Sequence, residues 1–165
     1  MRFSLYEVLF MEIKNNKLDT IAEVFCMILL IVTTLYTIYM YIQLPEKIPI
    51  HYDVAGVIDR YGNKTEIFIL LIVTWIMYIG LSVVTRIPQF WNTGVSVTAE
   101  NKDRVYRILK NMLKIIKMEI IVIFCYLIYN TTTLYNLPKW FVPVFLVLLF
   151  STMLISFVVL IKKAK

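Results

Sequence analysis

The chain has 165 residues, a formal net charge of +6 and 60% hydrophobic residues, and its mean hydropathy is +0.76. This apolar content exceeds that of soluble globular domains and predicts an integral membrane protein. The length allows one membrane domain. The positive charge gives no reason to expect a nucleic acid partner, because anionic lipid attracts basic residues equally well.

Four apolar runs predict membrane spans at residues 21–43, 66–85, 115–131 and 140–161. At 1.5 Å per residue, about 20 helical residues cross the hydrocarbon core. Backbone groups in lipid must pair within their own segment, so each run is expected to be helical. The sequence therefore predicts an all-α, polytopic membrane protein with four transmembrane helices and one amphipathic cytoplasmic helix.

The two cysteines, Cys26 and Cys125, both lie inside predicted spans. We expect them to pack as small apolar side chains. A disulfide between two membrane helices is the less favoured alternative, because nothing in their spacing requires one.

Basic residues predict how the chain is oriented in the membrane. Thirteen of the 17 Lys and Arg residues lie in the N-terminal segment, in residues 86–117 and in the C-terminal tail, and four lie in the other two loops. By the positive-inside rule, both termini and the central segment face the cytoplasm. The loops 44–65 and 130–139 then face outward, and the protein is expected to be a multi-pass protein of the cell membrane.

The first outward loop, 44–65, contains an unusual mixture of turn-forming and polar residues. Its prolines end the preceding helix. His51 and Asp53 alternate with apolar residues, which predicts a short extended piece with one polar face. Asp59 is expected to accept backbone hydrogen bonds that fix a turn, and Lys64 to pair with one of the loop carboxylates. The residues of interest are Pro45, Pro49, His51, Asp53, Gly56, Asp59, Gly62 and Lys64.

Three interpretations of this loop remain open. His51, Asp53 and Asp59 have the right chemistry for a divalent metal, but they are one ligand short and the chain has no second histidine. His51 with either carboxylate could form an acid–base pair, yet no nucleophile motif accompanies it. A compact structural loop that also offers a ligand-binding surface is the third interpretation. We expect no cofactor and no catalytic residue.

Residues 45–64 closely resemble the signature of a bacterial membrane family called domain of unknown function 1648. Residues 90–114 resemble a second stretch of that family, although Thr93-Gly94 stands where the family has Tyr-Pro. The resemblance implies a relation to SdpI-type immunity proteins, which protect the producing cell from a secreted toxic peptide and can signal through a repressor. The matching positions of the second stretch are Asn92, Val95, Thr98, Glu100, Asn101, Arg104 and Tyr106.

A basic amphipathic helix is predicted at residues 98–114, with Thr98 as N-cap and Glu100 in the first turn. We expect it to lie on the inner leaflet, where its basic residues meet anionic lipid. The alternative is a docking surface for a cytoplasmic regulator or a membrane partner. Its marked residues are Thr98, Glu100, Asn101, Arg104, Tyr106 and Arg107. Phe3–Ile13 predicts a weaker interfacial helix, and Glu119 and Lys117 are expected either to snorkel to the inner membrane edge or to form a local ion pair.

The sequence thus favours a non-enzymatic membrane protein for immunity or sensing towards an external peptide or envelope stress. One alternative is an accessory subunit of a membrane transport or regulatory complex. The other is a metal-dependent membrane module built around His51.

Overall fold

The structure is a computed structural model that describes residues 13–164. The predicted helix Phe3–Ile13 falls, except for its last residue, outside the described residues. In chain order the main elements are helix α1 (Lys17–Tyr41), strands β1 (Lys47–Tyr52) and β2 (Ile58–Asn63), and helices α2 (Ile67–Val84), α3 (Lys102–Thr133) and α4 (Phe141–Ala164). Short 3-10 helices lie at Lys64–Glu66 and Pro88–Phe90.

Within residues 13–164, three helices are long and apolar enough to cross a membrane: α1, α2 with its preceding 3-10 turn, and α4. Their starts and ends follow local chemistry. Asn16 and Asp19 form a capping box at the start of α1, in which each side chain accepts a hydrogen bond of 2.8 Å from the other residue's backbone N–H. Three of the four predicted spans thus coincide with helices that are long and apolar enough to cross a membrane.

The remaining helix, α3, differs from the sequence prediction. The amphipathic helix predicted at 98–114 and the span predicted at 115–131 form one continuous helix of 32 residues. Thr98 is not its N-cap, since the helix begins after Asn101 and Glu100 lies in the preceding turn. No glycine or proline interrupts residues 102–133, so nothing in the sequence breaks the helix at the expected junction.

Helix α3 occupies the centre of the bundle, because it packs against α1, α2 and α4. Helices α1 and α3 run in one direction, and α2 and α4 run in the other. We call the end that carries the strands the hairpin end, and the end that carries residues 86–110 the basic end. Cys26 and Cys125 are free and buried in one apolar cluster between α1 and α3, as the packing interpretation predicted.

The first loop is a two-stranded antiparallel β-hairpin, so the described chain is mostly but not purely helical. Strand β1 lies against the bundle, with Ile48 buried in a cluster that includes Leu44, Ile67 and Ile128. Strand β2 is largely exposed. The extended piece predicted around His51 is confirmed as part of β1.

Candidate functional site

The hairpin places its polar residues by an irregular strand register. Lys47, Ile48 and Pro49 pair in regular order with Asn63, Gly62 and Tyr61. The register then shifts on both sides of His51, which pairs with Arg60. Such shifts are β-bulges, which bend a strand and redirect its side chains.

These shifts bring His51 and Asp59 together. The His51 Nδ1 atom lies 2.6 Å from Asp59 Oδ1, and both side chains are about half exposed, at 53% and 45%. The prediction that Asp59 fixes a turn is wrong, because its carboxylate contacts the His51 imidazole. The pair forms an acceptor–donor feature on the solvent side of the hairpin.

The turn of the hairpin depends on Asp53 instead. Its Oδ1 accepts hydrogen bonds from the backbone of Ala55 at 2.9 Å and of Val57 at 2.8 Å. This Asx-type turn engages the carboxylate that the metal hypothesis needed as a third ligand. Within residues 13–164, no group of three or more His, Cys, Asp and Glu side chains is arranged to hold a metal ion.

The tip of the hairpin docks on the loop between α3 and α4. Gly56 has a φ of +80°, a conformation that favours glycine, and a Cβ there would lie 2.8 Å from the Leu137 carbonyl oxygen. The Leu137 N–H donates to the Gly56 carbonyl at 2.8 Å, and the Ile58 N–H donates to Asn136 Oδ1 at 2.9 Å. From α3, Asn130 Nδ2 donates to the Tyr52 hydroxyl at 3.2 Å. The exposed face of the hairpin is therefore mounted on the bundle.

The remaining signature residues support this arrangement. Lys64 pairs with a loop carboxylate, as predicted: Glu46 lies 3.0 Å from its ammonium, which is also 5.3 Å from the centre of the Tyr41 ring. Pro49 is buried under the hairpin, whereas Pro45 is exposed in the connection from α1. A side chain at Gly62 would collide with those of Ile50 and Glu66.

A second polar site, unforeseen from the sequence, lies at the basic end between α1 and α3. Asp19 of α1 is buried and forms ion pairs with two residues of α3, Lys114 at 3.0 Å and Arg107 at 2.8 Å. Lys110, also buried, donates to Asn15 Oδ1 at 2.8 Å and to the Ile13 carbonyl.

One turn further into the bundle, Lys117 of α3 pairs with Glu23 of α1. The Lys117 side chain is only 1% exposed, and its ammonium also donates to Ser82 Oγ at 3.2 Å. The hydroxyl of Tyr78 donates to Glu23 Oε1 at 2.7 Å, and the Tyr78 ring centre lies 5.2 Å from the Lys117 ammonium. We refer to Asp19, Glu23, Tyr78, Ser82, Arg107, Lys110, Lys114 and Lys117 as the ion-pair network.

The network corrects the expectation that the basic face of this segment meets lipid. Arg107, Lys110, Lys114 and Lys117 are spaced by three or four residues and form one stripe of α3, which faces α1. Arg104 is exposed and stays available to lipid or a partner. Tyr106 packs near Trp91, with ring centres 6.1 Å apart.

Asn101 has a structural role at the basic end. It is buried, and its Nδ2 donates to the Ala164 carbonyl at 2.7 Å and to the Ser96 carbonyl at 3.1 Å. Thr98 donates its backbone N–H to Asn101 Oδ1 at 2.8 Å. The segment before α3 is thereby fastened to the end of α4.

The predicted local pair of Glu119 and Lys117 is wrong, because the two side chains point to different helices. Glu119 Oε1 accepts a hydrogen bond of 2.6 Å from Thr152 of α4, whereas Lys117 faces α1. Two positions along a helix correspond to a rotation of about 200°. Charges that are close in the sequence therefore need not be neighbours in space.

One sequence signal could have revealed the network. Asp19 and Glu23 are four residues apart and therefore share one face of α1. Acidic residues at the start of one span and a basic stripe at the start of another are typical of partners that pair within a membrane bundle.

Comparison with known proteins shows that the segment containing the hairpin matches a family model. No solved structure matches the chain. An uncharacterized protein of Archaeoglobus fulgidus is 35% identical over 66 residues, which cover 35% of this chain and 36% of the relative. The chain thus spans about a third of that relative's length. Residues 28–75, from the middle of α1 through the hairpin to the first half of α2, match the family described as Domain of unknown function (DUF1648), as the resemblance of the loop predicted.

Proposed function

We propose that this protein recognises a peptide outside the cell through the exposed face of its hairpin, in an immunity or sensing role without enzymatic chemistry. The observation that carries this proposal is the double register shift, which holds His51 against Asp59 at 2.6 Å on a solvent-exposed surface. Bulges that redirect polar side chains are typical of functional sites.

The hairpin end also exposes large side chains that suit peptide recognition. Val54, Tyr61, Tyr135 and Trp140 are each more than half exposed at the same end of the molecule. Aromatic residues are enriched in protein recognition surfaces. The hairpin also presents strand edges, to which an extended peptide can add as a further strand.

The mounting of the hairpin supports the same function. Its hydrogen bonds to Asn130, Asn136 and Leu137 tie it to the bundle before any ligand arrives. A preorganised surface loses less conformational entropy on binding than a flexible loop does.

The proposal requires the hairpin end to lie outside the cell, as the distribution of Lys and Arg predicts. Four crossings and cytoplasmic termini form part of this proposal, with α3 as the crossing that joins α2 to α4. Cysteines introduced at Val54 and Glu100, both exposed, test it with a membrane-impermeant maleimide. We expect Val54→Cys to react in intact cells and Glu100→Cys only after permeabilisation. The reverse pattern would contradict external recognition.

A binding experiment tests the function itself. A random peptide library displayed on phage is selected against the protein in nanodiscs, and the enriched peptides are measured on variants. We expect His51→Ala and Asp59→Asn each to weaken binding by roughly tenfold, the effect of losing one interfacial hydrogen bond to a charged group. Lys139→Gln, an exposed charge change in the other loop of the same end, is the matched control. Failure to enrich any peptide over empty nanodiscs, or equal loss in the control, contradicts the proposal.

A further inference from the structure

A cavity of about 300 Å³ lies between the hairpin and α2. Ile48, Pro49 and Ile50 of β1 form one wall, and Leu70 and Val73 of α2 form another. The walls are largely apolar, so the cavity suits a hydrocarbon group.

The lower half of this cavity belongs to a membrane-crossing segment. Leu70 and Val73 lie in the candidate span Lys64–Val84. Ile69 also lines the cavity and is 60% exposed on the outside of the bundle. In a bilayer the molecules next to such a surface are lipid acyl chains.

Charged groups lie at the upper end. Arg60 of β2 and Glu66, just before α2, both line the cavity. A guanidinium is well suited to the oxygens of a phosphodiester. Glu66 Oε1 accepts a hydrogen bond of 2.9 Å from the Asn63 backbone, which holds the carboxylate in place. A cation and an anion that line the same apolar cavity complement a zwitterionic head group joined to a hydrocarbon tail.

We infer that this cavity binds a phospholipid with an amine head group. An acyl chain lies along Leu70 and Val73, the phosphate meets Arg60 and the amine meets Glu66. This inference does not rest on peptide recognition, which is argued from the His51–Asp59 pair. An apolar side chain of a peptide is a less fitting occupant, because the deepest walls lie within the span.

Native mass spectrometry of the protein released from nanodiscs tests the inference. The nanodiscs contain equal amounts of phosphatidylethanolamine and phosphatidylglycerol. We expect the wild-type protein to retain phosphatidylethanolamine preferentially. Arg60→Gln, which changes an exposed side chain and leaves the core intact, should reduce retention roughly tenfold, as expected for loss of a charge-assisted contact. Val73→Trp should do the same by filling the cavity.

The matched controls are Arg86→Gln, an exposed cation at the basic end, and Ile76→Trp, an exposed residue on the same helix outside the cavity. Both should retain lipid as the wild type does. Equal retention of the two lipids, or equal loss in the controls, overturns the inference. Retained lipid in Val73→Trp together with lost binding of a selected peptide would assign the cavity to the peptide instead.

Discussion

The two ends of the bundle each contain a carboxylate in contact with a nitrogen base, but in opposite environments. At the hairpin end, His51 and Asp59 are about half exposed and can meet a ligand. At the basic end, Lys117 is 1% exposed and contacts Glu23 between two helices. An exposed pair contributes little to stability because water screens it, whereas a buried cation depends on its partner. The hairpin pair is therefore suited to recognition, and the network to holding α1 against α3.

The largest effect is expected where one charge of the network is reversed. Lys117→Glu or Glu23→Lys places two like charges together and should destabilise the fold by about 3–5 kcal/mol, the cost of breaking a buried pair. The double exchange, Glu23→Lys with Lys117→Glu, should recover much of the folded protein. Thermal unfolding in detergent, followed by size-exclusion chromatography, measures this recovery.

Lys163→Glu, an exposed charge reversal at the end of α4, is the control for the charge exchange and should unfold as the wild type does. A double exchange no more stable than either single variant would show that pairing is not what holds these helices together.

A smaller effect is expected at the hairpin tip. Gly56→Ala forces a Cβ against Leu137 and a strained backbone, so it should cost about 1–3 kcal/mol. Gly80→Ala is the matched control, because no atom of another element lies within 4 Å of the added Cβ. That change should be neutral or stabilise α2 by about 0.5–1 kcal/mol. Hydrogen exchange of the β1 and β2 amides reports the expected undocking, and unchanged exchange in Gly56→Ala would refute it.

Replacing arginine by lysine at two positions of α3 distinguishes an internal contact from an exposed side chain. Arg107 donates to Asp19 with one nitrogen and to the Lys14 carbonyl with another, whereas Arg104 is exposed. Lysine cannot reproduce two diverging donors, so Arg107→Lys should cost about 1 kcal/mol and Arg104→Lys nothing measurable. Equal melting temperatures for the two variants would contradict the inward orientation of Arg107.

The smallest change in stability is expected at the exposed pair. Asp59→Asn should alter the free energy of unfolding by less than about 1 kcal/mol, because exposed pairs contribute little. Urea titration of the protein in mild detergent measures it. A large loss of stability would make the pair structural and would weaken the case for recognition.

The sequence predicted the hairpin end better than the basic end, for physical reasons. Prolines, glycines and alternating polarity act locally, so the extended piece around His51 was foreseeable. Which carboxylate fixes the turn depends on the register shift, and the adjoining hairpin tip contacts Leu137, which is distant in the sequence. The sequence interpretation therefore assigned the turn to Asp59, although Asp53 fixes it, and left open which carboxylate pairs with His51.

The prediction for the basic end was wrong because periodicity alone does not show which face of a helix points into the bundle. In water-soluble proteins the apolar face of an amphipathic helix is buried. In α3 the basic stripe faces α1, because Asp19 and Glu23 provide carboxylates there. Helix α3 is also less apolar than its neighbours because three other helices surround it. The partner of a charged stripe lies far away in the sequence, so local patterns do not reveal it.

Site-resolved labelling of lysines tests most directly the claim that the basic stripe of α3 lies inside the bundle. The wild-type protein in detergent is treated with a water-soluble amine-reactive reagent, and mass spectrometry gives the labelling rate of each lysine. Lys162 and Lys163 are exposed and serve as references. The structure predicts that Lys114 and Lys117 react at least roughly tenfold more slowly until the protein is unfolded, because reaction requires the bundle to open. Labelling of Lys114 and Lys117 at the rate of Lys163 in the folded protein would contradict it.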